Sequence, residues 1–182
     1  MKLALIAAAS AATLAIAGFA APALAQDAAA NAPGTVTWYG NLGYTGIDAD
    51  HTDLSAIDGR VGARFGRYFG AEGEVAFGVN SSNVGGGANV KMNNSEAIYG
   101  VGYLPISPKL DLFARVGYGN EDFHFGGTAS GHENTGSWNY GVGGQYFVTD
   151  KDGVRVEYTR VDTQSHDVPN ANTWGVNYVR KF

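Results

Sequence analysis

Leu110-Asp111-Leu112-Phe113-Ala114-Arg115-Val116-Gly117-Tyr118-Gly119 is the stretch whose reading decides the fold. Leu110, Leu112, Ala114, Val116 and Tyr118 fall on one parity, and Asp111, Phe113, Arg115 and Gly117 on the other. Successive side chains of a strand point to opposite faces, so a period of two marks a strand with one apolar and one polar face. A helix would place Leu112 and Arg115 on one side and lose the separation.

The same period extends in both directions. Segments 37–46, 55–66, 71–79, 96–104, 110–119, 136–148, 153–161 and 173–182 read as eight strands. On the apolar parity stand Trp38, Leu42 and Tyr44, then Ile57, Val61, Ala63 and Phe65, then Val75, Phe77 and Val79. Tyr99, Val101 and Tyr103 follow, with Glu96, Gly100 and Gly102 opposing them. Trp138, Tyr140, Val142 and Tyr146, then Val154, Val156 and Tyr158, then Trp174, Val176, Tyr178 and Phe182 complete the set. The connections 67–70, 105–109 and 149–152 are short, with Gly, Pro or Asp turn chemistry. Those at 47–54, 80–95, 120–135 and 162–172 are longer and polar. This strict alternation fits an antiparallel barrel with tight turns at one end and larger loops at the other.

Composition decides which face looks outward. Charged residues are 16% of the chain, low for a soluble surface, and aromatics are 12%. Past the first 25 residues no run approaches the roughly 18 apolar residues of a membrane helix. The polar parity carries Asp58, Arg60, Arg64, Glu72, Glu74, Asp111, Arg115, Arg155 and Glu157. An Arg facing lipid at the bilayer midplane costs about 2–4 kcal/mol. Turned inward, these nine charges of both signs neutralise one another. With a turn centred near Tyr68, Arg64 lies opposite Glu72, and Glu74 lies diagonal to Arg60 and Arg64. Inward glycines (Gly62, Gly78, Gly100, Gly102, Gly117, Gly141 and Gly143) leave room for the long side chains of a narrow, filled interior. The expected fold is all-β: an eight-stranded antiparallel up-and-down transmembrane β-barrel.

The outward aromatics sort by depth. Trp38, Phe65, Tyr103, Tyr146 and Phe182 fall near the short-turn end, and Tyr44, Phe77, Tyr118, Trp138, Tyr158 and Trp174 near the long-loop end. Two such girdles are expected where amphipathic rings meet the two membrane interfaces.

The first residues are an address. Lys2 supplies positive charge, residues 3–20 are apolar and Ala-rich, and Ala23-Leu24-Ala25 is a small-residue cleavage site. The chain thus divides into a signal peptide (1–25), a flexible periplasmic lead-in (26–36) and a barrel domain (37–182). With an even strand number, both termini are expected on the periplasmic side.

Little else suggests chemistry. There is no cysteine, so disulfides and thiolate metal sites are excluded. The formal net charge is −5 and no basic stripe is present, which argues against nucleic acid. His51, His124, His132 and His166 lie in expected loops near acidic residues but lack ligand spacing, and read as solvated loop tips. Residues 48–53 lack the Gly and bidentate Glu of a calcium loop, and Gly85-Gly86-Gly87 lacks the Lys-Ser/Thr of a phosphate loop. Ser130 with His124 or His132 is the cheapest candidate nucleophile pair, and the expectation is no enzyme, no cofactor and no metal.

Residues 38–182 resemble the small outer-membrane β-barrel proteins, the OmpA transmembrane-domain and OmpX type. The resemblance is carried by Arg64-Phe65-Gly66-Arg67-Tyr68-Phe69-Gly70-Ala71-Glu72 and by the last strand, which ends in Phe182. It implies that Phe182 is the assembly signal, with the barrel-assembly machinery and periplasmic chaperones as transient partners. Arg180 departs from the family pattern, which prefers an apolar or aromatic residue there; its long side chain can snorkel to the interface. Arg160, also on the lipid-facing parity, is placed to meet lipopolysaccharide. Nothing follows Phe182, so the peptidoglycan-binding domain of full-length OmpA is not expected. The expected role is a structural or surface protein of the Gram-negative cell envelope, with polar loops open to lipopolysaccharide or host contacts. A small low-conductance, porin-like pore and a soluble periplasmic carrier of an apolar ligand are the alternatives.

Overall fold

The computed structural model describes residues 35–49, 52–83, 89–126, 131–164 and 170–182. The expected leader and cleavage site, the expected lead-in up to residue 34, and His51, Gly85 to Gly87, Ser130 and His166 lie outside the described residues, as do the side chains of His124 and His132. The strands are β1 Val36–Ala49, β2 Thr52–Phe65, β3 Phe69–Gly78, β4 Ser81–Asn83, β5 Asn89–Pro105, β6 Leu110–Gly126, β7 Gly131–Phe147, β8 Asp152–Thr163 and β9 Ala171–Lys181.

Each long strand pairs antiparallel with its neighbours in the chain, and β1 pairs with β9, from Tyr39↔Lys181 to Asp48↔Asn172. The eight long strands therefore close into an up-and-down barrel with no free edge. The three-residue β4 pairs only with the start of β5, inside the β3–β5 connection. The start of β1 and the end of β9 lie at the same end, where the Phe182 amide donates to the Trp38 carbonyl (2.9 Å). The three tight turns lie at this terminal end as well. The β7–β8 turn is fastened by Thr149, whose hydroxyl accepts from the amides of Lys151 (3.2 Å) and Asp152 (2.8 Å).

Two expectations are corrected here. The β2–β3 turn centres on Arg67, with Phe65 paired to Phe69, because Gly66 takes a left-handed conformation (φ 64°) and closes the loop early. Glu74 consequently sits opposite Arg60 and Gly70 opposite Arg64, while the two faces keep their identity. The long connections are also largely ladder. Pairing continues to Ala49↔Thr52, Asn89↔Gly126 and Phe125↔Gly131, so β5, β6 and β7 are 17 residues each. Beyond the apolar belt the parity that carries the apolar residues turns polar, at Asn120, Asp122 and His124 in β6 and at Asn134 and His132 in β7, so the period-two pattern of the belt ends while backbone pairing persists.

The barrel is polar inside and apolar outside. Arg155, Asp58, Asn177, Thr159 and Ser137 are fully buried, whereas Leu42, Val61, Val116, Val142, Val156 and Val176 are exposed. In water such a continuous apolar wall would be an association surface; in a bilayer it is the lipid contact.

Candidate functional site

The interior is organised by three guanidinium groups and four carboxylates at mid-barrel. Arg60, from β2, reaches Glu74 (2.5 Å), Glu157 (2.5 Å) and Asp58 (3.1 Å). Arg115, from β6, reaches Glu74 (2.9 Å) and Glu157 (3.0 Å). Arg155, from β8, reaches Glu72 (2.5 Å) and Glu157 (2.9 Å). Glu157 thus contacts all three arginines, and the bonds join strands on opposite walls. Thr45 donates to Asp58 (2.8 Å), and Thr159 accepts from Arg115 (2.8 Å). Arg64 and Asp111 form a separate pair (2.7 Å) nearer the terminal end, where Gln145 also donates to Asp111 (3.0 Å). Burial leaves no water to screen these pairs, so each ion depends on its partners.

Aromatic rings line the same space. Arg155 lies 3.8 Å from the Phe113 ring centroid, Arg115 4.2 Å from that of Tyr99, and Arg64 4.3 Å from that of Tyr103. A cation over a ring face gains further attraction where water is excluded. Tyr39 donates to Glu72 (2.7 Å), and its hydroxyl lies 2.6 Å from that of Tyr103. Glycine makes the room: a Cβ at Gly143 would stand 2.5 Å from the Phe113 ring, and one at Gly62 would collide with the ring of Tyr39.

These contacts overturn the facing expected for β5. Tyr99, Val101 and Tyr103 point inward and are buried, while Ile98 and Leu104 are exposed on the outer wall with Gly100 and Gly102 between them. Tyr103 is therefore not a girdle residue. Its hydroxyl and that of Tyr99, which accepts from Asn139 (3.2 Å), are satisfied only inside, whereas glycine costs nothing against lipid.

On the outer wall, Trp38, Phe65 and Tyr146 are exposed toward the terminal end, and Tyr44, Phe77, Tyr118, Trp138 and Trp174 toward the hairpin end, with Tyr158 half-buried beside Trp174. Cross-strand neighbours pack in pairs, Tyr118 with Trp138 (5.5 Å) and Tyr158 with Trp174 (4.7 Å). The two outward arginines have local partners. Arg180 bonds Asp152 (2.9 Å), which also accepts from Tyr178. Arg160 bonds Asp162 (2.9 Å) and Asn172 (3.1 Å), and Tyr158 donates to the same Asn172 oxygen (2.8 Å).

Comparison with known proteins agrees with this inside-out arrangement. The sequence matches the outer membrane protein beta-barrel domain over residues 11–182. The chain belongs to that family. Among solved structures, the outer-membrane barrel is similar to Ail, the attachment invasion locus protein of Yersinia pestis, at 14% identity and a TM-score of 0.59, covering 81% of this chain and 97% of that one. It is similar to the N-terminal β-barrel domain of Pseudomonas aeruginosa OprF, at 13% identity and 0.57, covering 78% and 96%. It is also similar to Pseudomonas aeruginosa OprG, at 11% identity and 0.54, covering 82% and 97%. No curated protein matches it in sequence. At these identities the solved structures speak to the fold; the family places the protein in the bacterial outer membrane.

Within this outer-membrane barrel, the nine charged residues singled out from sequence all face the interior, seven in one network and Arg64 with Asp111 in a second pair. Sequence reasoning missed the roles of Tyr99, Tyr103 and Phe113 against the arginines, and of Ser137 and Asn139 near Glu121. Residues 98–104 carry apolar groups on both parities, so periodicity alone does not orient them. Among the described residues no group of three or more His, Asp or Glu side chains is arranged to hold a metal. The polar, filled interior is the reverse of a soluble carrier that lines its cavity with apolar groups.

Proposed function

We propose that this outer-membrane barrel is a closed structural and surface protein whose hairpins meet the outside of the cell. One observation carries the reading: the lumen at mid-barrel is spanned by the Arg60, Arg115 and Arg155 network, with Arg155 fully buried. A layer of paired charges across so narrow a barrel leaves no open aqueous path. The buried carboxylates Glu72 and Glu157 and the half-buried Glu74 are engaged by guanidinium groups, which supports a non-enzymatic role.

The terminal end, with its tight turns, is the periplasmic side in this reading, and the long hairpins are external. Outer-membrane lipid contacts the apolar wall, and Arg160, at the hairpin end, lies where lipopolysaccharide carries its anionic groups. Phe182, exposed and bonded through its amide to Trp38, serves as the signal read by the assembly machinery after chaperone delivery. Lipopolysaccharide, other envelope components and host molecules are the ligand classes open to the hairpins.

A low-conductance pore is the second reading, favoured by the side-chain amides of Asn41 and Asn177, which are buried without a protein partner. Such groups are where ordered water is found. Planar-bilayer recording, paired with an epitope inserted at residues 84–88, separates the readings. The closed surface protein gives no steady conductance, and antibody binds the epitope on intact cells. Steady conductance by the unaltered protein favours the pore, and an epitope reached only in opened cells overturns the orientation.

A further inference from the structure

Directly paired residues of neighbouring strands stand on one face of a sheet. One such row crosses the outer wall as Trp38, Ala63, Ala71, Gly100 and Val116, on β1, β2, β3, β5 and β6. Large side chains stand at its two ends and three small residues between them. The next row, Val61, Gly73 and Ile98, repeats the pattern. Together they shape an apolar groove of about 750 Å³, a volume that takes a ligand and not merely a methyl group. Interior packing does not account for the missing side chains on its floor. A Cβ at Gly73 would meet no atom within 4 Å, and the nearest atom to one at Gly100 is the Val116 carbonyl oxygen at 4.0 Å.

The groove is continuous with the wall that meets lipid, and its two ends differ in charge. At the terminal end the β2–β3 turn presents the exposed Arg67, held in place where its carbonyl accepts from Arg64 (2.5 Å). Arg160 and Arg180 bond Asp162 and Asp152, whereas Arg67 has no carboxylate partner among the described residues and lies 5.8 Å from the Tyr68 ring centroid. At the hairpin end, two residues beyond Ile98, Glu96 is exposed and repels an anion. Depth fits as well. Four residues separate Phe69 from Gly73; at a rise of about 3.3 Å each and a tilt of 35–45° they span about 10 Å of the membrane normal, inside the roughly 15 Å of one leaflet's hydrocarbon.

We propose that this groove holds the acyl chains of a phospholipid with an anionic headgroup, whose phosphate is bonded by Arg67. A guanidinium gives two parallel hydrogen bonds to a phosphate, and the groove excludes no polar atom that the chains would have to bury. Glu96 disfavours entry of an anionic lipid from the hairpin end. The contact stands on the groove and Arg67; its assignment to the periplasmic leaflet rests on the orientation proposed above.

The test is native mass spectrometry of the protein released from detergent micelles that carry phosphatidylglycerol and phosphatidylcholine in equal amounts. The parent retains phosphatidylglycerol at least about five times as often as phosphatidylcholine, the factor that one basic residue near an anionic surface brings. Arg67→Gln, on the exposed turn, removes the preference, while Arg180→Gln, at another exposed arginine of the terminal end, keeps it. Gly73→Leu/Gly100→Leu fills the groove and retains neither lipid, although its unboiled band still runs faster than the boiled one. Equal retention of the two lipids by the parent, or undiminished retention by the filled variant, overturns the proposal. So does a lipid-free dimer, which would give the groove to a second copy of the chain. Micelles have no leaflets, so retention stands or falls separately from the epitope result on orientation.

Discussion

Arg155 shows what a single residue does in this interior. Its guanidinium is fully buried, bonded to Glu72 and Glu157, and laid against the face of Phe113. Replacing one partner of a buried ion pair strands the other, which costs about 3–5 kcal/mol. Arg155→Leu is therefore expected to lower unfolding stability by about that amount, measured by denaturant titration from lipid vesicles with tryptophan fluorescence. Arg180→Leu, at an exposed pair on the outer wall, is expected to leave the unfolding midpoint unchanged. Equal losses for the two variants would show that the interior network does not hold the barrel.

At the scale of the element, β6 and β5 mark what the sequence does and does not reveal. In the first ten residues of β6 the charges Asp111 and Arg115 share one parity and Leu110, Leu112, Ala114, Val116 and Tyr118 the other, and Val116 faces out beside the buried Arg115, as expected. Val116→Arg, near the middle of β6, is expected to cost about 2–4 kcal/mol in the same titration, while polar changes at strand ends cost far less. β5 offers no such separation. Ile98 and Leu104 on one parity compete with Tyr99, Val101 and Tyr103 on the other, and only the hydroxyl partners Tyr39 and Asn139, supplied by distant strands, settle the facing. Cysteine labelling checks it: Ile98→Cys is expected to report a lipid environment to a membrane-embedded quencher, and Tyr99→Cys is not. The reverse would restore the outward reading of Tyr103. Strand ends were hidden for a related reason, since beyond the belt the apolar parity turns polar, as at Asn120, Asp122 and His124, although the backbones still pair. Register was legible to within one step of the β2–β3 turn, where the conformation of Gly66 decided it.

For the whole molecule, the inversion of polarity is the organising fact. Closure of β1 on β9 removes the sheet edges, and the side chains then divide into a charged interior and an apolar wall with aromatic rings toward both ends. Parity and charge count make this division legible in the sequence, because nine charges cannot face hydrocarbon. Which partner each charge takes depends on cross-barrel distances that no local pattern encodes. Arg155 meets Glu72 from 83 residues away. The central claim, a closed barrel folded in the outer membrane, is tested most directly by gel mobility of the protein extracted from the outer-membrane fraction. The account predicts an unboiled band that runs faster than the boiled one and depends on detergent. Recovery of the protein as a soluble periplasmic species, with one mobility before and after boiling, would contradict it.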